Sequence, residues 1–377
     1  MVPKLRFSEF TIPWKKAQIG SILTIGSGRD YKHLAHGEVP VFGTGGLMTY
    51  VDAFLHDGET VCIGRKGTID KPFYYSGKIW TVDTLFFTHS FIKVLPKFVF
   101  NLFCNINWKE HNEATGVPSL SKNIIGKIEV FYPDLKEQTK IANFLASVDE
   151  EITLLNKQHN LLCQYKKGMM QKIFTQELRF KDDSGDEFSD WEEVELKKIA
   201  SKVNTKNKDN SVSTVLTNSA TQGIVSQESY FEREIVTESN LTGYYVVRVG
   251  DFVYNPRISS TAPVGPIKMN ELTQGVMSPL YTVFRFEKGL LKFYQYFFES
   301  SVWHDYMKSV ANSGARHDRM NISGADFFDL PVPHPSDEEQ TKIARFLSAI
   351  DDKITTKKAE LDKLKTWKQG LSQQMFV

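Results

Sequence analysis

The stretch EQTKIANFLASVDEEITLLNKQHNLLCQYKKGMMQKIFT at 137–175 decides the organisation of this chain, because EQTKIARFLSAIDDKITTKKAELDKLKTWKQGLSQQMFV at 339–377 repeats it. The offset is 202 residues and holds without a gap to Phe174 and Phe376. An internal repeat has to be settled before any other feature of the fold. Alternating steps of four and three put Ile141, Leu145, Val148 and Ile152 on one seam, and Ile343, Leu347, Ile350 and Ile354 on its twin. The seam continues through His159 and Lys166 in the first copy, and through Lys357, Leu361 and Lys368 in the second. Neither copy contains proline, and each has a single late glycine, Gly168 and Gly370. The pattern predicts two long helices pairing as a coiled coil, with His159 and Lys357 as the places where one helix accommodates the other. Two long amphipathic helices packed separately on globular cores is the other reading, though such helices usually run shorter.

The repeat extends beyond the helices. LRF at 5–7 returns at 178–180, and Trp14 returns as Trp191. Gly58, Val61 and Arg65 answer to Gly250, Val253 and Arg257, and Trp108 answers to Trp303. The offset grows steadily along the chain, so insertions lie between matched blocks. The chain therefore reads as a tandem of two divergent halves, each a globule followed by a long helix. Its expected boundaries are 1–136 and 177–338 for the globules, and 137–176 and 339–377 for the helices. Within the globules, TVCIG, IWTVDTLFF, KIEVFYP, YYVVRV, DFVYN and YTVFRF read as strands. KFVFNLFCNINW and KFYQYFFESSVWHDYMKS have helical spacing. The fold class is α+β.

A chain of 377 residues suggests two or three domains. Cys62, Cys104 and Cys163 lie far apart, no apolar run reaches ~18 residues, and MVPKLRFSEF lacks a signal-peptide core. A reducing cytoplasm without membrane attachment is the expectation. Net charge is only +1, but 1–136 carries 16 basic against 12 acidic residues and 196–319 carries 15 against 11. KDDSGDEFSD at 181–190 joins two modestly basic globules as an acidic linker. Asp134 and Ser336–Asp337 supply N-caps for the long helices, and Glu137 and Glu339 suit the positive end of the helix dipole.

Catalytic signatures are missing. There is no phosphate loop and no GxGxxG, and GSGRD and GTGG lack the lysine. The string nearest to an amino-methyltransferase motif, Asn255-Pro256-Arg257-Ile258, lacks the second proline and the aromatic. His33 and His36 have neither a counterpart in the second half nor an HExxH context, so no metal site is expected. Recognition remains. Arg65 with Lys66, and Arg257 in the second half, follow a strand among turn-formers, where a guanidinium fork can meet a guanine edge or a phosphate. Arg316, His317 and Arg319 lie on a loop whose counterpart in the first half is serine-rich and ends in Lys122. One frame carrying different side chains is what two surfaces reading different sequences require. Lys202, Lys206 and Lys208 form a further basic loop.

Two globules, each ending in a helix that begins EQ-x-x-IA-x-FL, resemble the DNA-specificity subunit of Type I restriction–modification systems. The resemblance covers nearly the whole chain. It implies two target recognition domains, each reading one half of an asymmetric, bipartite double-stranded DNA site. It also implies helices that pair antiparallel with pseudo-two-fold symmetry, fix the spacing between half-sites and dock two modification subunits, with two restriction subunits joining them. S-adenosylmethionine, ATP and Mg are expected only in those partners, and no cofactor or catalytic residue in this chain. A helix of this length spans roughly 55 Å, more than a duplex turn of about 34 Å. A non-catalytic coiled-coil adaptor whose globules bind protein is the alternative.

Overall fold

A computed structural model describes residues 2–228, 238–312 and 318–376. The chain divides into two compact units, Met1–Gln158 with Lys357–Val377, and His159–Thr356.

In the first unit, β1 (Lys15–Gln18) leads through a short helix α1 (Ile19–Ile22) into β2 (Thr24–Ser27), β3 (Val39–Gly43), β4 (Gly46–Val51), β5 (His56–Gly64), β6 (Phe73–Thr81) and β7 (Leu85–His89). Helices α2 (Pro96–Asn105) and α3 (Lys122–Lys127) follow, then β8 (Glu129–Tyr132) and the long helix α4 (Leu135–Phe174). Strands β2-β7-β5-β6-β3-β4 form one sheet, antiparallel except where β3 runs parallel to β6. The centre of β5 reads Val61-Cys62-Ile63, each residue fully buried, because a central strand is covered on both faces. IWTVDTLFF is not one strand: it is the end of β6 and the start of β7, with a turn at Asp83–Thr84.

The second unit repeats this plan with shorter strands. These are β9 (Glu192–Glu195), β10 (Ala200–Lys202), β11 (Leu216–Ser219), β12 (Gly223–Ser226), β13 (Tyr245–Val247), β14 (Phe252–Tyr254), β15 (Ile267–Met269), β16 (Gly275–Met277) and β17 (Thr282–Phe286). Helices α5 (Leu291–Glu299), α6 (His304–Ser309) and α7 (Gly324–Phe328) precede β18 (Pro331–His334) and the second long helix, α8 (Asp337–Met375). The order β10-β17-β14-β15 matches β2-β7-β5-β6. In both units the strand following the repeated tryptophan pairs antiparallel with the strand that enters the long helix, β1 with β8 and β9 with β18. The KFYQYFFESSVWHDYMKS run is broken by a turn at Ser300–Trp303 into two helices, since Trp303 must enter the core.

Asp134 caps α4 by accepting the Lys136 and Glu137 N–H groups at 3.0 Å, and the Ser336 hydroxyl accepts from Glu339 N at 3.3 Å. The glutamates that follow are not dipole partners at the surface. Glu137 and Glu339 are 1% and 0% exposed. Arg6 donates to both oxygens of Glu137 at 2.7 Å, and the Trp14 indole N–H adds a third bond at 3.2 Å. Arg179 and Trp191 treat Glu339 the same way, at 2.9 and 2.8 Å. A carboxylate can stay buried only when paired and hydrogen-bonded, and these two are. The next residue is a bridge: Gln138 accepts from Leu95 N and donates to Pro133 O, as Gln340 does with Leu290 N and Pro335 O, each at 2.8 Å. EQ therefore clamps each globule to its helix. KDDSGDEFSD is also held, because Lys342 donates to Lys181 O and pairs with Asp183.

The seam residues are interior. Ile141, Leu145, Met375 and Phe376 share the core of the first unit with Trp14 and Phe98. Ile173, Phe174, Ile343, Leu347 and Ile350 share the core of the second. Each core thus joins the beginning of one long helix to the end of the other, which is antiparallel pairing inside each unit. Val148 is also buried, and Ile152 and Ile354 are half-buried. The irregular seam positions His159 and Lys357 make contacts within their own helices: His159 contacts Cys163 and Asn160, and Lys357 pairs with Glu360 at 2.7 Å.

Candidate nucleic-acid interface

In the first unit the chain leaves β5 at Gly64 and turns through Arg65, Lys66 and Gly67. The N–H of Arg65 donates to Thr84 O at 2.7 Å, and Arg65 O accepts from Leu120 N at 2.9 Å. Lys66 forms a β-bridge with Ser119, and Gly67 N–H donates to Pro118 O at 2.9 Å. Gly67 takes φ +86°, a conformation in which other residues are strained. Two loops read separately in the sequence are therefore one surface. Arg65 is half-buried, with one guanidinium nitrogen donating to Asp83 O at 3.2 Å, while Lys66 is exposed. Lys122 is exposed on the first turn of α3, whose N-cap is Ser121. Burial, with electrostatic repulsion from His56 and Lys122 adding to it, holds His89 below the usual histidine value.

The second unit repeats the junction with different side chains. Arg257 follows β14 and forms a β-bridge with Arg319, flanked by bonds from Ile258 N to Asp318 O at 3.0 Å and from Met320 N to Pro256 O at 2.9 Å. The Asp318 carboxylate sits between both guanidinium groups, 3.9 Å from Arg257 Nε and 3.8 Å from Arg319 Nε. Arg257 and Arg319 line a cleft of about 290 Å³ together with Thr217, Asn218, Asn255 and Tyr281. Asn218 is 3% exposed and is fixed by donating to Val253 O and Pro266 O. Arg316 and His317 lie outside the described residues. Lys202, Lys206 and Lys208 are exposed, away from this cleft's lining.

Both surfaces are built alike: an arginine just past the central strand is tied by backbone bonds to the loop that precedes a short helix. Such an arrangement presents cationic forks on rigid backbone, suited to phosphates and to base edges. The cleft residues Thr217, Asn218 and Tyr281 were not found from sequence, since nothing in their spacing marks them. Arg6, Arg179, Glu137 and Glu339 could have been, because charged residues matched across a repeat and embedded in apolar pattern point to a buried pair. His33 and His36 are exposed, and no cluster of metal-ligating side chains occurs among the described residues. No helix among the described residues is long and apolar enough to cross a membrane.

A family model described as Type I restriction modification DNA specificity domain matches residues 11–164 and 188–366. The Type I restriction enzyme MjaVIII specificity subunit of Methanocaldococcus jannaschii is 26% identical over 338 residues, covering 84% of this chain and 76% of the relative. The putative MjaX specificity subunit of the same organism is 28% identical over 273 residues, covering 68% of this chain and 60% of that one. The fold is similar to the crystal structure of a Type I restriction–modification S subunit from M. genitalium, with TM-score 0.60 at 16% identity, over 100% of this chain and 99% of that one.

Proposed function

The chain belongs to the Type I restriction modification DNA specificity family, and we propose that it reads an asymmetric, bipartite site in double-stranded DNA, one half-site per globule. The observation that carries this reading is the duplicated junction, where Lys66 bridges Ser119 and Arg257 bridges Arg319 just past the central strand, one backbone frame with different side chains. Matching frames position the two globules alike on the phosphates; differing side chains select different bases. Arg65, Arg257, Arg316, His317 and Arg319 are the candidate base or phosphate contacts, and Lys66 and Lys122 the candidate phosphate contacts.

The long helices set the spacing between half-sites and dock two modification subunits, which restriction subunits then join. A chain with TM-score 0.57 and 14% identity comes from a structure concerned with complex assembly and conformational transition of the type I R-M system. Because Ile141, Leu145, Ile343 and Leu347 are buried in this chain's own cores, docking falls to the outer helix faces. There Tyr165 and Trp367, related by the 202-residue offset, are 51% and 49% exposed. One exposed aromatic repeated at equivalent positions suits one partner bound twice. Methyl transfer, with S-adenosylmethionine, and ATP- and Mg-dependent cleavage belong to the partners; this chain supplies recognition only. Methylome sequencing of cells with and without the chain tests the proposal. Loss of one split, asymmetric adenine-methylation motif is the expected result, and an unchanged methylome refutes it.

A further inference from the structure

We infer that Leu47 and Met48 read a thymine 5-methyl group in the half-site bound by residues 1–136, an inference that rests on the DNA-reading assignment above. The hairpin of β3 and β4 turns at Thr44–Gly45. Its register runs Val41↔Thr49 and then Phe42↔Leu47, so Met48 is an extra residue in β4. In a regular strand adjacent side chains take opposite faces; a bulge breaks that alternation and re-aims a side chain. Leu47 and Met48 are consequently both exposed, at 51% and 54%. Room for the displaced methionine comes from Gly43, where a Cβ would lie 2.9 Å from Met48 Sδ.

The hairpin is firmly supported and stands beside the cationic loop. Val39, Val41, Val51, Trp80 and Val82 form a core cluster beneath it, and Val82 N–H donates to Phe42 O at 2.9 Å. Thr44 Oγ1 at its tip lies 3.7 Å from the position a Cβ on Gly67 would take, and Gly67 is bonded to Pro118. Val117, next along, is 67% exposed. The surface around Arg65 and Lys66 thus carries a projecting apolar pair. Scattered exposed apolar residues are ordinary, but two in succession at a bulge, on a hairpin whose tip Thr44 stands beside Gly67 of the basic loop, suit a base contact. On the major-groove edge of a base pair the apolar feature is the thymine 5-methyl group.

Among the described residues the second unit shows no such bulge. Its β11–β12 hairpin pairs from Leu216↔Ser226 to Ser219↔Gly223 without a register shift, and Ile224 is buried. The bulged apolar pair is therefore assigned to the half-site bound by the first globule.

The test uses the full chain assembled with its modification subunits, and duplexes in which each thymine of the two half-sites is singly replaced by deoxyuridine. In one half-site, one replacement weakens binding of the unsubstituted protein about three- to tenfold. The Leu47→Ala/Met48→Ala variant loses this discrimination and binds the thymine and uracil duplexes equally. Indifference of the unsubstituted protein to every replacement overturns the inference while leaving DNA reading intact. A variant that still discriminates, or that loses affinity for both duplexes alike, overturns it too. Failure of the unsubstituted complex to bind any duplex refutes the DNA-reading assignment itself.

Discussion

Lys166 Nζ lies 2.7 Å from Asp351 Oδ1, and the repeat offset of 202 carries this pair onto Lys368 and Asp149, which are 2.5 Å apart. One ion pair is thus built twice, with the helices exchanging roles, and each copy lies inside its own unit. The Lys166 pair is the more elaborate. Glu299 approaches at 2.9 Å, the Tyr296 ring lies 4.8 Å from the ammonium, and the Tyr296 hydroxyl donates to Asp351 at 2.7 Å. A charged pair at a seam position selects one register, because any slip leaves a half-buried charge without its partner.

Exchanging the charges tests the register. Asp149→Lys or Lys368→Asp alone should destabilise the protein by about 1–2 kcal/mol. The double variant should recover most of that loss. Thermal unfolding of the three variants measures it, and additive losses would mean that the pair does not couple the helices.

The Lys166 pair also has a pH signature. Burial alone lowers the pKa of Lys166, but Glu299 and Asp351 outweigh it, so the net shift is upward. A folded-state pKa above the unfolded value of about 10.4 means that the stabilisation is complete at neutral pH and is lost as pH rises through the folded value. Lys166→Met should therefore lower the melting temperature at pH 7, and the gap from the unsubstituted protein should narrow as pH rises from neutral into strongly alkaline buffer. A gap that stayed constant or widened between neutral and strongly alkaline pH would contradict the sign.

Glu137 and Glu339 should be among the most sensitive positions in the chain. Replacing Glu137 by Gln leaves Arg6 without its charge partner, with an expected cost of about 3 kcal/mol. Glu339→Gln should cost a similar amount through Arg179. Chemical denaturation read by tryptophan fluorescence is suited to this, since Trp14 and Trp191 each bond to the substituted side chain. A change within 0.5 kcal/mol, the ordinary range for surface substitutions, would show that the clamp is dispensable.

DNA contacts should separate by kind. Arg319→Ala should weaken binding to the cognate duplex by about 1–3 kcal/mol and relax selection at one position. Lys66→Ala should weaken all duplexes alike and reduce the salt slope by about one. Binding isotherms over a series of salt concentrations distinguish the two, and neither variant should move the melting temperature.

Partner docking should divide by aromatic. Trp367→Ala and Tyr165→Ala should each remove one modification subunit from the assembly, and the double variant both, as counted by native mass spectrometry. Retention of two subunits by the double variant would place docking elsewhere. Trp367 also packs edge-on against Phe144 at 6.3 Å, so folding is checked alongside.

The two long helices were legible because their apolar period is local and repeated, and a helix extends wherever that period continues. The strands at TVCIG, DFVYN and YTVFRF were legible for the same local reason. Asp134 and Ser336 were recognisable as caps, since a cap acts within one turn. The roles of Glu137 and Glu339 were not, because their partners Arg6 and Arg179 lie 131 and 160 residues away. Lys166 and Lys368 read as interruptions of an apolar seam until the structure brought Asp351 and Asp149 against them.

Sequence alone determined the duplication, the two long helices and the arginines past the central strands, all carried by short-range pattern or by matching the chain against itself. Tertiary structure decided what those features touch. It joined the Arg65 loop to Pro118–Leu120, and Arg257 to Arg319, into single surfaces. It turned one extra residue at Met48 into an exposed apolar pair, and it ran the helices antiparallel inside each unit. The physical reason is common to all of these. Backbone bridges, buried ion pairs and strand register depend on which distant segments meet, and a local period does not encode that choice.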